Sequence, residues 1–291
     1  MKLYYFKAAL GNFGDDLNPW LWSRLIPDLL DDDAEELFVG IGTLLNHRLP
    51  PSRSKQVFGS GYGYGEKPHI DAGWTFHAVR GPHTAEALGL PADRAVCDSA
   101  ILLREVERRR GGRSNGPVGL ILTGQTIGYF DWAPLCVQQG IRFINCHDPV
   151  ERTLEALLDC RTVLCEAMHG AIVCDALRIP WVPVRCTPDV LALKWKDWLA
   201  TVNLRYEPTD LPKLHRPSDS LARTLKHGAL RLLRHRAAAP APSRPAQVAA
   251  AADELAAAAR RSPYLSDERC IQALTECLAE RLQQLRQSRR P

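Results

Sequence analysis

The stretch at residues 161–184 constrains the fold of this chain most strongly, because an apolar run, an abrupt break and a helical pattern follow one another closely. The apolar run Thr162–Cys165 ends at a turn that carries His169, and Pro180 separates the helical pattern from the β-rich run Trp181–Val184. This order predicts strand, turn, helix and strand. A ligand at such a turn meets free backbone N–H groups and the positive end of the helix dipole, and a histidine there can transfer a proton near neutral pH. The unit therefore predicts anion binding beside a proton-transfer residue.

Length and composition are typical of a soluble globular protein. The 291 residues suffice for two modest domains, with 45% apolar and 24% charged residues. The net charge of +4 is too small to predict nucleic-acid binding, and no apolar run is long enough to span a bilayer. The first 16 residues lack the apolar segment of a signal peptide. We therefore expect a cytoplasmic protein.

The cysteines give no sign of a disulfide framework. There are nine, most of them inside apolar runs, and none forms a C-x-x-C pair. We therefore expect reduced, buried thiols and no metal site.

Strand-like and helix-like patterns alternate along residues 1–205. The strand-like runs are Leu3–Phe6, Glu36–Gly42, Lys55–Gly59, Phe76–Val79, Ala95–Cys97, Val118–Leu122, Arg142–Ile144, Thr162–Cys165 and Trp181–Val184. The helical segments are Asp16–Leu30, Pro82–Leu88, Trp132–Gln139 and Val150–Leu158, besides the one that follows His169. A charged and then glycine-rich stretch at 108–117 predicts an interdomain linker. The pattern predicts an α/β fold with two doubly wound domains, at 1–112 and 113–205, which face each other across a cleft.

Residues 206–291 predict a linker and a C-terminal helical region. The stretch 235–252 is rich in Ala, Pro and Arg and predicts a flexible or partly helical connector. Ser266 is expected to cap a final helix whose apolar stripe must pack on another part of the protein. That stripe contains Ile271, Leu274, Leu278, Leu282 and Leu285. The basic, amphipathic segment 221–236 fits either an anionic membrane surface or the solvated face of a packing helix, and we favour the latter.

The loop GNFGDDLNPWLW at residues 11–22 is predicted to bind a ligand. Its glycines allow a tight turn and a close approach to the backbone, and its polar side chains suit sugar hydroxyls. The residues concerned are Asn12, Gly14, Asp15 and Asn18. Alternatively, Asp15 or Asp16 only caps a helix and the two tryptophans only pack together. Capping alone does not require this glycine pattern, so we favour a ligand loop.

Two further candidates follow predicted strands. Tyr62 lies in the glycine-rich loop 58–65, where it could stack on a sugar or donate a hydrogen bond, or could belong to a mobile surface loop. Arg80 precedes a Gly-Pro turn that fixes its direction. A guanidinium there can hold a carboxylate or phosphate through two parallel hydrogen bonds, and we favour this role over that of an ordinary surface arginine.

The remaining candidates lie in and after the 161–184 unit. His169 stands where open α/β sheets bind ligands, so we favour catalysis or phosphate binding over a structural role. Glu166 could orient the imidazole, bind hydroxyls or cap the helix. Lys194 and Lys196 could bind phosphate as point charges, although solvated lysines beside core tryptophans are the favoured interpretation.

Taken together, these segments resemble the polysaccharide pyruvyl transferase family, most closely its exopolysaccharide, succinoglycan-type branch. The matching stretches are GNFGDDLNPWLW (11–22), VGIGTLL (39–45), VFGSGYGYG (57–65), HAVRGPHTAEALGL (77–90) and EAMHGAIVCDALRIPW (166–181). The resemblance spans about residues 1–205 in order. It implies a glycosyltransferase-B-like arrangement of the two Rossmann-like domains, phosphoenolpyruvate as donor, and a saccharide, often lipid-linked, as acceptor.

The chemistry that the resemblance implies defines roles for these residues. Protonation of the methylene carbon of phosphoenolpyruvate makes the central carbon electrophilic, and two sugar hydroxyls add as phosphate leaves, which gives a pyruvate ketal. The reaction needs hydrogen-bond donors that bind the anionic groups of phosphoenolpyruvate and an acid/base group, but no cofactor and no obligatory metal. By resemblance, His169 matches the family's catalytic histidine. The donor-binding set is Arg80, Gly170, Ala171, Lys194 and Lys196. The acceptor-binding set is Asn12, Gly14, Asp15, Asn18, Tyr62 and Glu166.

Two positions depart from the family pattern. Ala167 stands where many members carry an arginine, so Lys194 or Lys196 would have to replace that cation. Thr-Gly-Gln at 123–125 stands where a Pro-His turn is expected in this branch. Two other functions therefore stay open: a nucleotide-sugar-dependent glycosyltransferase of the same fold, and an inactive scaffold in polysaccharide assembly. The expected location is the cytoplasm, at the inner face of the cell membrane if the protein makes a peripheral membrane contact.

Overall fold

The first half of the chain builds a sheet of four parallel strands. The computed structural model describes residues 1–187, 190–215 and 243–289. The strands are β1 (Lys2–Tyr4), β2 (Glu36–Val39), β3 (Ser54–Ser60) and β4 (Trp74–Val79), in the order β1-β2-β3-β4. The helices of this half are α1 (Phe13–Leu25) and α2 (Pro82–Leu88), followed by 3₁₀ turns at Ala92–Arg94 and Ser99–Glu105. Strand β3 is buried along nearly its whole length, as expected where both faces of a parallel sheet are covered.

The second sheet contains five parallel strands in the order β6-β5-β7-β8-β9. The strands are β5 (Val118–Ile121), β6 (Ile141–Ile144), β7 (Thr162–Cys165), β8 (Trp181–Arg185) and β9 (Thr209–Asp210). The helices are α3 (Gly124–Tyr129), α4 (Ala133–Gln138), α5 (Val150–Leu158), α6 (Met168–Ala176) and α7 (Ala192–Thr201). Strand β5 lies between β6 and β7, so the strand order reverses there. Open α/β sheets bind ligands at the carboxyl ends of strands that flank such a reversal.

Two C-terminal helices complete the described structure, α8 (Pro245–Ala258) and α9 (Glu268–Gln287). Helix α8 buries Ala251, Ala252, Leu255 and Ala258 in the apolar core of the second sheet. Helix α9 returns to the first sheet, where Arg286 pairs with Asp28 and Arg289 pairs with Glu36. The C-terminal region therefore contacts both sheets.

One large apolar core includes side chains from both halves. Phe38 and Phe58 of the first sheet belong to the same buried cluster as Ile121, Cys165 and Trp181 of the second. Helix α1 contacts α5 and α6, and the 3₁₀ turn at 99–105 contacts α6 and α9. These helices bring the two sheets together.

The structure confirms the predicted α/β fold with parallel sheets and helices that cover them. Helices Pro82–Leu88 and Val150–Leu158 and strand Thr162–Cys165 have the predicted bounds. The first helix differs, because Asn12 caps it and it ends at Leu25, shortly before Pro27. The predicted strand 95–97 is reduced to a single bridge between Ala95 and Val79.

Two predictions for the C-terminal region need correction or lie outside the described residues. Asp267 caps the last helix in place of Ser266, which instead donates a hydrogen bond to Asp175. Part of the predicted connector 235–252 is helical, in α8. The predicted stripe is confirmed, with Leu274 partly buried and the other members buried in the core. The basic segment 221–236 lies outside the described residues.

Three further observations concern the cysteines, metals and the membrane. All nine cysteines are free thiols. Over residues 1–187, 190–215 and 243–289, no group of three or more His, Cys, Asp or Glu side chains is arranged to hold a metal ion. No helix in these ranges is both long and apolar enough to cross a membrane.

Candidate functional site

The carboxyl ends of strands from both sheets meet at one place. Phe13, the first residue of α1, donates its N–H to the carbonyl of Cys146 after β6, at 2.7 Å. His147 Nδ1 lies 2.6 Å from the carbonyl oxygen of Gly11. Gly14 lies against His169, since a Cβ added at residue 14 would be 2.2 Å from His169 Nδ1. The N-terminal loop therefore touches the two loops that follow β6 and β7.

His169 occupies the first turn of α6, directly after the carboxyl end of β7. Its side chain is 15% exposed, and its Nε2 lies 3.5 Å from Oδ2 of the fully buried Asp98. No side chain caps α6. The first N–H groups of an α-helix have no partner within the helix, so those at the start of α6 are available to a ligand. Ala171 differs, because its N–H donates to the carbonyl of Ala167 at 3.3 Å. Gly170 and Ala171 are both buried.

Asp98 is a site residue that the sequence analysis missed. It follows the strand-like run 95–97 and accepts a hydrogen bond from the N–H of Ala100 at 3.0 Å, which caps the 3₁₀ turn 99–105. An aspartate directly after a predicted strand is the local signal that could have drawn attention to it. Its contact with His169 depends on how two distant segments pack.

Asp15 has an unusual carboxyl group. Burial raises the pKa of Asp15 to about 6, and the nearby Asp16 raises it too, whereas His169 and Lys194 act in the opposite direction. A carboxyl group with such a pKa exists in both protonation states near neutral pH. Asp15 interacts electrostatically with His169, whose Nε2 faces Asp98, so the three side chains form one cluster.

Asn12, a predicted acceptor-binding residue, already supports the N-terminal loop through its own hydrogen bonds. Asn12 caps α1 by accepting from the N–H of Gly14 at 2.9 Å, and its own N–H donates to Asp16 Oδ2 at 2.9 Å. The structure thus gives the capping role to Asn12, where the alternative interpretation gave it to Asp15 or Asp16. A ligand that used Asn12 Oδ1 would compete with the helix cap.

Asn18 is fully buried and is bonded to protein on both ends of its amide. Its Nδ2 donates to the carbonyls of Asp15 at 3.1 Å and of Ile41 at 2.9 Å, and its Oδ1 accepts from Ile41 N–H at 2.8 Å and from Trp22 Nε1 at 3.2 Å. The bond to Asp15 replaces the one that Pro19, which has no N–H, cannot make inside α1. Binding of a sugar by Asn18 would therefore require these bonds to break.

Arg80 is also fully buried, and its guanidinium holds the glycine-rich loop. Its Nε donates to Asp197 Oδ2 at 3.0 Å, one terminal nitrogen donates to Thr43 Oγ1 at 2.8 Å, and the other donates to the Tyr62 carbonyl at 2.9 Å. A Cβ at Gly61 would lie 2.1 Å from the guanidinium carbon, so glycine is needed there. Arg80 lies in an interior network in this structure, and donor binding by it would require its pair with Asp197 to open.

Glu166 has no exposed surface and joins the ends of two strands. One carboxylate oxygen accepts from Thr123 N–H at 3.1 Å and from Thr123 Oγ1 at 3.2 Å, and the other accepts from Cys186 N–H at 2.8 Å. These bonds fix the ends of β5 and β8 on either side of β7. Glu166 therefore supports the base of the site and does not bond to His169.

The two predicted lysines differ in position. Lys194 lies at the start of α7, where its Nζ is 3.3 Å from the hydroxyl of Tyr64 and lies over the same ring. It also interacts electrostatically with Asp15. Lys196 is exposed on α7. Of the two, only Lys194 has a described interaction with a residue of the cluster.

Comparison with known proteins decides the family. No family model matches the chain. The succinoglycan biosynthesis protein ExoV of Rhizobium meliloti (strain 1021) is 34% identical to this chain over 215 residues, which cover 73% of this chain and 68% of that protein. The chain belongs to the polysaccharide pyruvyl transferase family. Within this family it falls in the succinoglycan-type branch.

Residues 123–125, where this branch is expected to carry a Pro-His turn, lie beside His147. A Cβ added at Gly124 would lie 2.9 Å from His147 Cε1 and 3.3 Å from His147 Nε2. The carbonyl of Gly11 accepts from His147 Nδ1, which leaves Nε2 as the acceptor nitrogen of the neutral imidazole. A second histidine thus lies beside residues 123–125. The sequence analysis missed His147, because nothing in its local pattern marks it.

Proposed function

We propose that this protein transfers a pyruvyl group from phosphoenolpyruvate to a sugar of an exopolysaccharide precursor, forming a pyruvate ketal and releasing phosphate. Membership of the pyruvyl transferase family carries the proposal. The proton-transfer cluster around His169 supports it, because the reaction needs an acid/base group next to the donor carbon. The relative from Rhizobium meliloti is a succinoglycan biosynthesis protein, which supports a role in exopolysaccharide synthesis for this chain as well.

The proposed reaction moves two protons and breaks one carbon–oxygen bond. A proton adds to the methylene carbon of phosphoenolpyruvate, and one sugar hydroxyl adds to the central carbon and loses its proton. The bond from that carbon to the phosphate oxygen breaks, and the second hydroxyl closes the ketal as its proton passes to the phosphate side. His169 and Asp15 are the proposed proton carriers, because both lie at the meeting of the two sheets.

The proposed binding groups follow from their positions. The first-turn N–H groups of α6 and the ammonium group of Lys194 favour an anion, so we propose that the donor lies between them. Asn12, Asp15 and Tyr62 lie on or next to the loops of the first sheet, where we propose that the acceptor binds. We further propose a lipid-linked acceptor, a glycosyltransferase-B-like arrangement of the two sheets, and action at the cytoplasmic face of a membrane.

The test is phosphate release from phosphoenolpyruvate with a panel of lipid-linked and synthetic galactosides and glucosides. The wild type is compared with His169→Ala and with His83→Ala, whose histidine is exposed at the start of α2. We expect acceptor-dependent release and a product heavier by one pyruvyl ketal in the wild type and in His83→Ala. We expect a loss of at least about 100-fold in His169→Ala. Absence of release with every acceptor, together with turnover of a nucleotide sugar, would overturn the proposal.

A further inference from the structure

Asp98 is a fully buried carboxylate with one unused oxygen. Its Oδ1 accepts a hydrogen bond from the N–H of Ala100, whereas Oδ2 has no hydrogen-bond partner among the described residues. The segment around it is held firmly, because the Ser99 hydroxyl donates to the carbonyl of Phe58 and packs on Gly59. A buried carboxylate oxygen without a partner is costly, so this arrangement needs a complementary donor.

Nε2 of His169 supplies the complementary atom. This nitrogen is buried and, like Asp98 Oδ2, is without a hydrogen-bond partner in the described part of the chain. The two atoms face each other at 3.5 Å. Hydrogen bonds of catalytic groups are often long before substrate binds and shorten in the complex. A proton on Nε2 would satisfy both buried atoms at once.

The other ring nitrogen of His169 faces a different environment. Nδ1 lies over Gly14, where a Cβ would be 2.2 Å away, and it is not among the buried unpaired atoms of the described structure. Asp15, which follows Gly14 in α1, interacts electrostatically with His169, and its other charged neighbours are Asp16 and Lys194. Nδ1 is therefore the nitrogen on the side of the proposed substrate.

We propose that Asp98 is a positioning residue that holds His169 in the Nε2–H tautomer, so that Nδ1 is the nitrogen that takes up and releases a proton during the reaction. The role of Nδ1 in turnover rests on the proposed function. The tautomer and its dependence on Asp98 rest on the geometry alone. No bond to carbon is made or broken by Asp98 itself.

Asp98→Asn separates the two roles of this side chain, which are to cap the 3₁₀ turn at 99–105 and to face His169. The N–H of Ala100 needs an oxygen acceptor, so the amide oxygen keeps that place and the amide nitrogen turns toward His169. An N–H donor facing Nε2 requires an unprotonated Nε2, which moves the proton of the neutral imidazole to Nδ1. The substitution therefore keeps the cap and reverses the tautomer.

The experiment combines histidine NMR with steady-state kinetics on the full-length protein. Long-range ¹H–¹⁵N spectra of histidine-labelled wild type and Asp98→Asn are compared, with the His169 signals assigned from His169→Gln. Asp267→Asn is the matched control, because Asp267 Oδ1 also caps a helix by accepting from Cys270 N–H at 3.1 Å and has no described contact with a histidine. Acceptor-dependent phosphate release is measured for the same proteins.

We expect neutral His169 as Nε2–H in the wild type and in Asp267→Asn, and as Nδ1–H in Asp98→Asn. We expect kcat to fall by about 100-fold or more in Asp98→Asn, with KM for phosphoenolpyruvate changed by less than about threefold. Asp98→Glu, which returns a carboxylate, is expected to restore the Nε2–H tautomer and part of kcat.

Several outcomes would overturn the inference. One is an Nδ1–H signal in the wild type, which needs no variant and so does not depend on whether Asp98→Asn folds. Another is an unchanged tautomer and unchanged kcat in a folded Asp98→Asn. If the tautomer reverses as expected while the wild type releases no phosphate with any acceptor, the proposed function fails and the positioning role of Asp98 stands.

Discussion

Gly14 is a point of close approach between the two halves of the site. It has no need of an unusual backbone conformation there. Glycine is needed because His169 Nδ1 occupies the space that a side chain would take. The next residue, Asp15, interacts electrostatically with the histidine, and burial raises the pKa of its carboxyl group to about 6.

Gly14→Ala should lower activity without unfolding the protein. The added Cβ would lie 2.2 Å from His169 Nδ1, so the imidazole must rotate away from the proposed substrate. We expect a fall of about 100-fold in kcat/KM, since the proton-transfer group is displaced. Gly128→Ala in α3 is the control, because nothing lies within 4 Å of its Cβ position. Equal activity of the two variants in the phosphate-release assay would show that the contact is unimportant.

Asp15→Asn should change how stability depends on pH. The pKa of Asp15 is raised from 3.8 to about 6, so the folded protein binds more protons than the unfolded chain between these values. Its free energy of unfolding therefore falls as pH rises through this window. We expect Asp15→Asn to exceed the wild type by about 1–3 kcal/mol at about pH 7 and by almost nothing at about pH 4. Urea denaturation at both pH values measures this, with exposed Asp253→Asn on α8 as the control. A constant difference across the window would contradict the expectation.

At the scale of elements, one carboxylate holds the strand ends beneath the site. Glu166 accepts hydrogen bonds from two backbone N–H groups and one hydroxyl, which lie in the segments after β5 and β8. The sequence indicated a polar residue at the end of β7. It gave no sign that this residue serves its neighbouring strands, because the bonds join segments that are far apart in the chain.

Glu166→Gln should destabilise the protein. An amide nitrogen must replace one oxygen acceptor, so at least one buried N–H donor loses its partner and faces another donor. We expect a loss of about 1–3 kcal/mol in the free energy of unfolding. Chemical denaturation measures it, and Glu254→Gln on the exposed face of α8 serves as the control and should match the wild type. A decrease in the free energy of unfolding no larger than that of the control would show that Glu166 does not support the strand ends.

At the scale of the whole molecule, a buried ion pair joins the two halves. Arg80 follows β4 of the first sheet, and its partner Asp197 lies on α7. Asp197 also accepts from the N–H and the hydroxyl of Thr84 at the start of α2, at 3.0 and 2.5 Å. The Thr84 hydroxyl accepts in turn from Tyr62 N–H at 3.1 Å. The pair thus links α7 to the glycine-rich loop.

Arg80→Met should be strongly destabilising. It leaves the Asp197 carboxylate buried without its cation, which costs about 3–5 kcal/mol. The double variant Arg80→Met, Asp197→Asn should lose less than the sum of the two single variants, and urea denaturation of all four proteins measures this coupling. Strictly additive losses would show that the pair is not a link. Arg152→Met, which removes an exposed partner of Asp148, should cost much less.

The sequence by itself determined most of the elements and the position of the histidine. Apolar runs of strand length, the helical stripe of α9 and the break after Cys165 are local signals, because backbone periodicity fixes which side chains share a face. The same signals located the turn that carries His169. They also placed Arg80 and Asn18 near the ends of elements. They did not indicate that both side chains are buried in the interior of the protein.

Only the tertiary structure decided the partners of these side chains. Whether Arg80 meets a ligand or Asp197, and whether His169 faces Asp98 or solvent, depends on how α1, α6, α7 and the 99–105 turn pack together. Packing minimises unpaired buried polar groups over the whole molecule, and a local pattern carries no record of which distant group supplies the partner. The local pattern offered only a weak signal at Asp98 and none at His147, and both became candidate site residues only when distant segments packed together.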